Sequence, residues 1–295
     1  MMKTGRWCCG SLALLALAAT AGTGLMAAAP AVEPGFRSLF NGVDLIGWDG
    51  LPGVWSVEDG AITGRTRAEA PLEGNTFLIW KEGTVGNFTL RLKFRFQPVA
   101  GAVMAKANSG VQYRSQVIDP AKRVVGGYQA DMDGGGKYVG MLYEERGRGI
   151  LALPTQKVRL SPQEGKPGEP PQAKIEVLGA TTSEANRAAI TEAVARGEWM
   201  DLVLIVEGRR LRHYVNRVQT AEIADDDDAH RAASGVLALQ VHAGEPMMVQ
   251  FKDIRLRALT EGGAPPGEAD VPRDVSEGGG AGGAKDSSRP SDISR

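Results

Sequence analysis

The chain has 295 residues, of which 42% are hydrophobic and 23% charged, and its formal net charge is −1. This near-neutral balance argues against nucleic acid or an anionic membrane surface as the main partner, because both favour basic proteins. Both cysteines, Cys8 and Cys9, lie close to the N-terminus, so the rest of the chain offers no disulfide, thiolate metal site or thiol nucleophile.

Residues 1–31 have the composition of a secretory signal peptide. Lys3 and Arg6 form a positive n-region, residues 11–19 form an apolar h-region, and small residues before Ala31 suit a cleavage site. An uncleaved anchor is the alternative, but the apolar run is shorter than the roughly 20 residues that a spanning helix needs. Cleavage would leave 32 basic and 35 acidic residues, a formal charge of −3. We therefore expect an exported protein, periplasmic or secreted, that is free of the membrane after cleavage.

The predicted folded domain covers residues 35–260 and is dominated by strand patterns. Residues 88–96 alternate apolar and polar side chains with period two, which is typical of a half-buried strand. Hairpin turns are predicted at Asp59-Gly60 and Glu207-Gly208. Many short strands separated by glycine turns predict an all-β protein built from two sheets.

Two segments depart from this pattern. Residues 183–196 predict a short helix with Ser183 as its N-cap and Gly197 as its stop, inside a longer insertion over residues 155–197. Residues 261–295 are rich in Gly, Pro, Ser and charge, and we expect this tail to be disordered.

The richest chemistry lies in two neighbouring strands, residues 126–132 and 142–148, which a glycine-rich turn joins. Alternation places Tyr128, Ala130 and Met132 on the core face, and it places Gln129 and Asp131 on the opposite face. The second strand adds acids and arginines nearby. Acid, amide and guanidinium groups held together on a sheet surface suit a polar ligand such as a sugar.

The same alternation selects a candidate site for that ligand. Asp131, Glu145 and His242 are the predicted catalytic groups: Asp131 or Glu145 would be the base, and His242 a base or a metal ligand. The predicted substrate-binding residues are Gln112, Arg114, Gln129, Tyr143, Arg148 and Gln240.

Several of these residues have structural alternatives. Asp131 could cap the glycine-rich turn, Glu145 could form a surface salt bridge with Arg146 or Arg148, and His242 could make a structural hydrogen bond before the turn that follows it. Arg114 could belong to a structural ion pair.

Other conspicuous residues are assigned to the scaffold. We interpret His213 as a buried, hydrogen-bonded histidine, the acidic run at residues 225–228 as a solvated loop, and three tryptophans as core: Trp48, Trp55 and Trp199.

Sequence signatures resemble one known family, the 3-keto-disaccharide hydrolase domain family. Residues 38–48, SLFNGVDLIGW, are similar to its opening motif. Further similar motifs follow in the family's order at residues 55–60, 108–114, 127–131, 142–145, 212–216 and 239–256. The resemblance covers residues 36–259. It implies a concanavalin A-like jelly-roll sandwich of two antiparallel sheets whose concave face binds carbohydrate, and it implies action on sugars oxidised at C3. Many members carry Glu where this chain has Gln129, and because Gln cannot act as a base, Gln129 is expected to orient a ligand.

These expectations define an enzyme hypothesis and its rivals. A base removes the acidic hydrogen at C2 of a 3-keto-glycoside, the resulting enediolate expels the C1 group, and water adds. A non-catalytic carbohydrate-binding module on the same fold is the main alternative, a two-carboxylate glycosidase is another, and a structural or adhesion domain is a third. A divalent metal ion held by Asp131, Glu145 and His242 could polarise the 3-keto oxygen. No closely spaced ligand motif supports this metal, and the cofactor and the oligomeric state stay open.

Overall fold

Two β-sheets packed face to face form the body of the protein. A computed structural model describes residues 33–165 and 168–260, so the predicted signal peptide and tail lie outside the described residues. In chain order the elements are β1 (Arg37–Ser38), β2 (Trp48–Asp49), β3 (Trp55–Glu58), β4 (Ala61–Arg65), β5 (Thr76–Trp80), β6 (Phe88–Gln97), a 3₁₀ turn (Met104–Lys106), β7 (Asn108–Asp119), β8 (Val124–Asp133), β9 (Leu142–Glu145), β10 (Gly149–Ala152), β11 (Gln156–Gln163), β12 (Gln172–Ala180), α1 (Glu184–Ala195), β13 (Met200–Glu207), β14 (Arg210–Val215), β15 (Val218–Asp225), β16 (Val236–Val241) and β17 (Met248–Ala258).

The two sheets differ in size. The larger has the order β12-β11-β15-β14-β13-β6-β17-β4-β3, with β1 paired to β17, and the smaller has the order β10-β9-β8-β7-β16-β5-β2. This confirms the predicted all-β, two-sheet jelly-roll sandwich. One pairing departs from the antiparallel pattern, because β11 runs parallel to β15. After β11 the chain forms β12, α1, β13 and β14, and then β15 returns to the position beside β11.

The core lies between the sheets and follows the predicted alternation. Phe88, Leu90, Leu92, Phe94 and Phe96 of β6 are all buried, and they pack in the same core as Tyr128, Ala130 and Met132 of the smaller sheet. Burial of each large apolar side chain contributes about 1.5–3 kcal/mol. Removing apolar surface from water is therefore the main force that holds the sheets together.

The tryptophan prediction is right for two residues and wrong for one. Trp48 and Trp55 belong to the core. Trp199 is only half-buried, and it lies between Arg95 and Lys252, whose charged groups are 4.4 Å and 4.2 Å from the ring centroid. It sits just before β13, and these cation–π contacts hold its ring.

The predicted helix is confirmed as α1. The Ser183 side chain accepts a hydrogen bond from the backbone N–H of Asn186, and Gly197 has a φ of 68°, which suits a glycine at the end of a helix. Ile190, Ala193 and Val194 turn inward and anchor the helix to the core. Among the described residues no helix is long and apolar enough to cross a membrane.

A buried ion cluster in the interior overturns two predictions. The Arg148 side chain has no exposed surface, and its guanidinium contacts carboxylate oxygens of Glu144 at 2.7 Å, Asp225 at 2.8 Å and Asp227 at 3.4 Å. Arg148 therefore neutralises buried acids, and its predicted role in substrate binding is wrong. The acidic run is also not uniformly solvated, because Asp225 and Asp227 are fully buried.

Candidate functional site

A polar pocket of about 240 Å³ lies on the face of the smaller sheet that points away from the core. It forms over β8, β9 and β16, and its lining includes six predicted site residues: Gln129, Asp131, Tyr143, Glu145, Gln240 and His242. Strand alternation brings these side chains to one face, as expected. These six residues bring two carboxylates, two carboxamides, a phenol and an imidazole to the pocket.

A chain of carboxamides connects the two acids of the pocket. Gln112 Nε2 donates to Gln129 Oε1 at 2.9 Å, and Gln129 Nε2 donates to Asp131 Oδ2 at 2.9 Å. Gln129 Nε2 also approaches Gln240 Oε1 at 3.4 Å, and Gln240 Nε2 donates to Glu145 Oε2 at 3.3 Å. The direction of this chain presents an N–H donor to each carboxylate.

Two neighbours fix the position of Gln129 in this chain. The Ser115 hydroxyl donates to Gln112 Oε1 at 2.5 Å, which leaves the Gln112 NH₂ group free to face Gln129. Gly110 lies directly beneath Gln129, and a Cβ at that position would be 2.5 Å from Gln129 Cδ. Since real Cβ atoms do not approach that closely, glycine at position 110 gives Gln129 the space to reach Asp131.

Asp131 has the properties of a base poised near neutral pH. It is 5% exposed, and this burial raises its pKa to about 7. Hydrogen bonds from Gln129 and from Asn108, whose Nδ2 is 3.0 Å from Oδ1, oppose the rise, while the charges of Asp133 and Glu145 add to it. Desolvation is the largest of these effects.

Capping of the glycine-rich turn falls to Asp133 and not to Asp131. Asp133 accepts hydrogen bonds from the backbone N–H groups of Tyr138 at 2.6 Å and Lys137 at 3.1 Å. Asp131 and Asp133 are two residues apart on β8, so alternation places both side chains on the same face and does not show which of them caps the turn. The Asp131 side chain therefore does not cap the turn, although its backbone bonds to Gly140 and Met141.

Glu145 and Tyr143 lie on β9 beside Asp131. Both are half-buried, and burial raises the pKa of each; for Tyr143 the charges of Glu145 and Asp131 raise it further. For Glu145 the positive charge of Arg146 opposes the rise. The acid that pairs with Arg148 is Glu144, on the opposite face of the strand.

His242 lies at the exposed rim of the pocket. Its Nδ1 is 2.5 Å from the carbonyl oxygen of Ala243, so the structural hydrogen bond considered from the sequence is present. In residues 33–165 and 168–260, no three His, Cys, Asp or Glu side chains are arranged to hold a metal ion. Asp131, Glu145 and His242 therefore do not fit the three-ligand site proposed from the sequence.

Gln112 and Arg114 do not line the pocket. Gln112 is fully buried and reaches the pocket only through Gln129. Arg114 has a φ of 48° at an irregularity of the β7–β8 pairing. It is 1% exposed, and its guanidinium donates to carbonyl oxygens of Gly86 and Gly208, each at 2.8 Å. The irregular backbone breaks the alternation, so the predicted placement of Arg114 on the ligand face is wrong.

His213 is the buried histidine predicted from the sequence. Its ring contacts the Tyr113 hydroxyl at 2.9 Å and the Gly140 carbonyl oxygen at 3.2 Å. Burial lowers its pKa to about 4, so it is neutral at physiological pH and belongs to the scaffold.

Sequence reasoning missed three polar residues of the pocket: Asn75, Asn108 and Tyr138. Asn108 is four residues before Gln112 on β7, so alternation places both side chains on the same face, and the sequence pattern could have identified Asn108. Asn75 and Tyr138 lie in loops, where no periodicity marks them.

The fold and the family model together place the chain in the carbohydrate-active class, and the polar acid–amide pocket lies on one face of its two-sheet β-sandwich. The family model described as "3-keto-alpha-glucoside-1,2-lyase-like domain" matches residues 35–257, and the chain belongs to this family. The comparison with curated proteins gave no match.

Three of the solved structures that are similar to this chain come from two bacteria. A Parabacteroides distasonis protein provisionally described as a glycosyl hydrolase is 18% identical, with a TM-score of 0.45, over 77% of this chain and 94% of that chain. The carbohydrate-binding module CBM66 from Bacillus subtilis is 15% identical, with a TM-score of 0.43, over 72% of this chain and 96% of that chain. A Bacillus subtilis protein with a galectin-like fold is 11% identical, with a TM-score of 0.42, over 72% and 90%.

Proposed function

We propose that the protein cleaves 3-keto-glycosides by removing the proton at C2, eliminating the C1 substituent and adding water. The observation that carries this proposal is Asp131, a buried carboxylate with a pKa of about 7 at the pocket surface. A base of this pKa is partly ionised at neutral pH and still basic enough to remove a proton next to a carbonyl group. Membership of the 3-keto-alpha-glucoside-1,2-lyase-like family supports the substrate class.

The reaction proceeds in three balanced steps. Asp131 takes the proton from C2, the electron pair of that C–H bond forms a C2–C3 double bond, and the π pair of the carbonyl group moves onto the 3-keto oxygen to give an enolate. The enolate then collapses to form a C1–C2 double bond while the bond from C1 to the leaving oxygen breaks. Water finally adds across that double bond, with its oxygen at C1 and a proton at C2.

Glu145 and Tyr143 are suited to supply the proton that the leaving oxygen needs. Burial raises the pKa of both groups and so favours their protonated forms. Both lie on β9, which pairs with β8 so that Tyr143 faces Gln129 across the strands. Base and acid therefore sit on adjacent strands, with the sugar between them.

The carboxamides hold this pair in place. Gln129 and Asn108 donate to the two oxygens of Asp131, so its carboxylate cannot rotate without losing hydrogen bonds. Gln240 does the same for Glu145. Restricting the base to one orientation lowers the entropic cost of proton transfer.

The test is the release of a chromogenic aglycone from a 3-keto-glucoside by the purified protein. Asp131→Asn should lower the rate by about 10²–10⁴-fold, and Glu145→Gln should lower it less. Asp201→Asn, which changes an exposed carboxylate of the larger sheet, is the matched control and should keep full activity. The corresponding glucoside with an unoxidised C3 should not be cleaved, because its C2 proton is not acidic.

The second candidate function is carbohydrate binding without catalysis, which the four carboxamides of the pocket favour: Asn75, Asn108, Gln129 and Gln240. It predicts no aglycone release by the unmodified protein and sugar binding that survives Asp131→Asn. That result, measured by titration calorimetry on the same preparations, would refute the enzymatic proposal for this substrate class.

A further inference from the structure

The larger sheet ends in an open strand. β12 forms one edge of this sheet and pairs only with β11 in the described part of the chain. Nearly all of its residues are exposed, including Ile175 at 42% and Val177 at 56%. An exposed apolar edge of this length is a template for pairing with another strand.

The apolar residues of β12 extend the core layer beyond the point where the smaller sheet covers it. Val177 pairs with Val158 of β11, and Ile175 pairs with Leu160. Val158 and Leu160 are buried in the core, whereas their partners on β12 face solvent. At Ile175 and Val177 the core layer thus continues onto β12, and nothing in residues 33–165 and 168–260 covers it there.

We propose that β12 pairs antiparallel with β12 of a second copy, about a two-fold axis that brings Ile175 opposite the partner's Ile175. In this register Lys174 lies opposite the partner's Glu176, and Glu176 lies opposite the partner's Lys174. On the other face Ala173 lies opposite the partner's Val177. The strand therefore complements itself in both charge and hydrophobicity.

Neighbouring registers lack this match. An axis at position 174 would bring two lysines together, and an axis at position 176 would bring two glutamates together, which is unfavourable on a shared sheet surface. Arg159 of β11 contacts Glu176 at 3.4 Å. The pairing at position 175 would therefore extend an alternating row of charges, Arg159, Glu176 and the partner's Lys174.

A second copy is the occupant that this pattern fits. Two-fold dimers use the same surface patch on both subunits, so each favourable contact occurs twice. Lys174 and Glu176 flank Ile175 symmetrically, and this symmetry is what a self-pairing strand requires. The β11–β12 register is irregular between Lys157 and Val158, where Leu178 is skipped, so the regular part of β12 covers residues 172–177. With the axis at position 175, this would limit the regular pairing with the second copy to residues 173–177.

The test is the molecular mass of the purified protein in sedimentation equilibrium. The wild-type protein should be dimeric. Lys174→Glu and Glu176→Lys should each weaken dimerisation by at least about tenfold, because each turns two attractive pairs into two repulsive ones. An equimolar mixture of the two variants should restore a dimer, since every substituted side chain then faces an opposite charge.

Two results would overturn the proposal. One is a wild-type protein that stays monomeric up to about 100 μM. The other is a dimer that both variants leave unchanged, which would place the interface elsewhere. Unchanged circular dichroism and thermal unfolding of the variants would show that these exposed substitutions leave the fold intact. Sugar cleavage does not enter this measurement, so the outcome is independent of the proposed function.

Discussion

Replacing Asp131 with Asn should stabilise the folded protein above pH 7 while it removes the proposed base. The carboxyl is buried, and its pKa is raised from 3.8 to about 7, so folding favours the neutral form. Its contribution to stability is therefore complete below about pH 4 and is lost as the pH rises to about 7. Because Asn cannot ionise, the Asp131→Asn variant does not lose this stability as the pH rises.

The magnitude follows from the pKa. Each pKa unit corresponds to about 1.4 kcal/mol, so keeping Asp131 ionised in the fold costs about 4 kcal/mol at pH 8. Both oxygens of Asp131 accept hydrogen bonds, one from Gln129 and one from Asn108. Asn at this position has only one oxygen, so its NH₂ group meets one of these donors, and the lost hydrogen bond lowers the free energy of unfolding by about 1–3 kcal/mol at any pH. The variant should therefore be less stable than wild type at pH 4 and more stable at pH 8.

The assay is denaturant unfolding of both proteins at intervals from pH 4 to pH 8. The difference in their free energies of unfolding should change by about 4 kcal/mol across this range. Asp201→Asn, which changes an exposed carboxylate of the larger sheet, is the control, and it should change the free energy of unfolding by less than about 1 kcal/mol at every pH. A difference between wild type and Asp131→Asn that does not vary with pH would refute a raised pKa, and with it the argument for Asp131 as the base.

Three further predictions concern the surroundings of the pocket. Gly110→Ala should push Gln129 away from Asp131 and lower the rate of aglycone release at least about tenfold. Denaturant unfolding should show that the substitution also lowers the free energy of unfolding by about 1–3 kcal/mol. An unchanged rate would contradict the role of the chain of carboxamides. Arg148→Met should destabilise the fold by about 3–5 kcal/mol, because it leaves the charges of buried acids uncompensated. The protein that stays folded should keep its affinity for sugar. A loss of affinity without a loss of stability would support the role in substrate binding that the sequence predicted. Burial lowers the pKa of His213 to about 4, so the stability gained from the neutral ring is present above about pH 6.5 and is lost as the pH falls toward 4. The advantage of wild type over His213→Gln in the free energy of unfolding should therefore shrink by about 3 kcal/mol over that range. An advantage that is constant with pH would show that folding does not lower the pKa of this ring.

Periodicity explains why much of this protein could be predicted from its sequence. Apolar and polar residues alternate regularly along β6 and β8. The pattern therefore correctly identifies the face of each strand that packs in the core, which carries Phe88 on β6 and Tyr128 on β8. It also brings Gln129, Asp131 and Gln240 to one pocket. Helix α1 was predictable for a similar reason, since its cap, composition and terminal glycine are local signals.

The failures occur where local pattern gives way to long-range contacts. Arg114 sits at an irregularity of β7, and its acceptors, Gly86 and Gly208, lie far away in the chain. Arg148 follows a β-strand motif, but two of the three acids that it contacts, Asp225 and Asp227, come from a distant part of the chain. In both cases the side chain lies where it finds partners for a buried charge, and these partners cannot be identified from spacing.

The position of β16 has a consequence for how the protein is made. In the smaller sheet this strand lies between β7 and β5, so those two early strands have no direct pairing with each other. It also supplies Gln240, the carboxamide that reaches Glu145. A nascent chain that has not yet emerged from the ribosome as far as Val241 therefore has neither a closed smaller sheet nor a complete pocket. The pocket is therefore complete only after β16 has been synthesised, and a chain that stops before β16 should lack this pocket and be readily degraded by proteases.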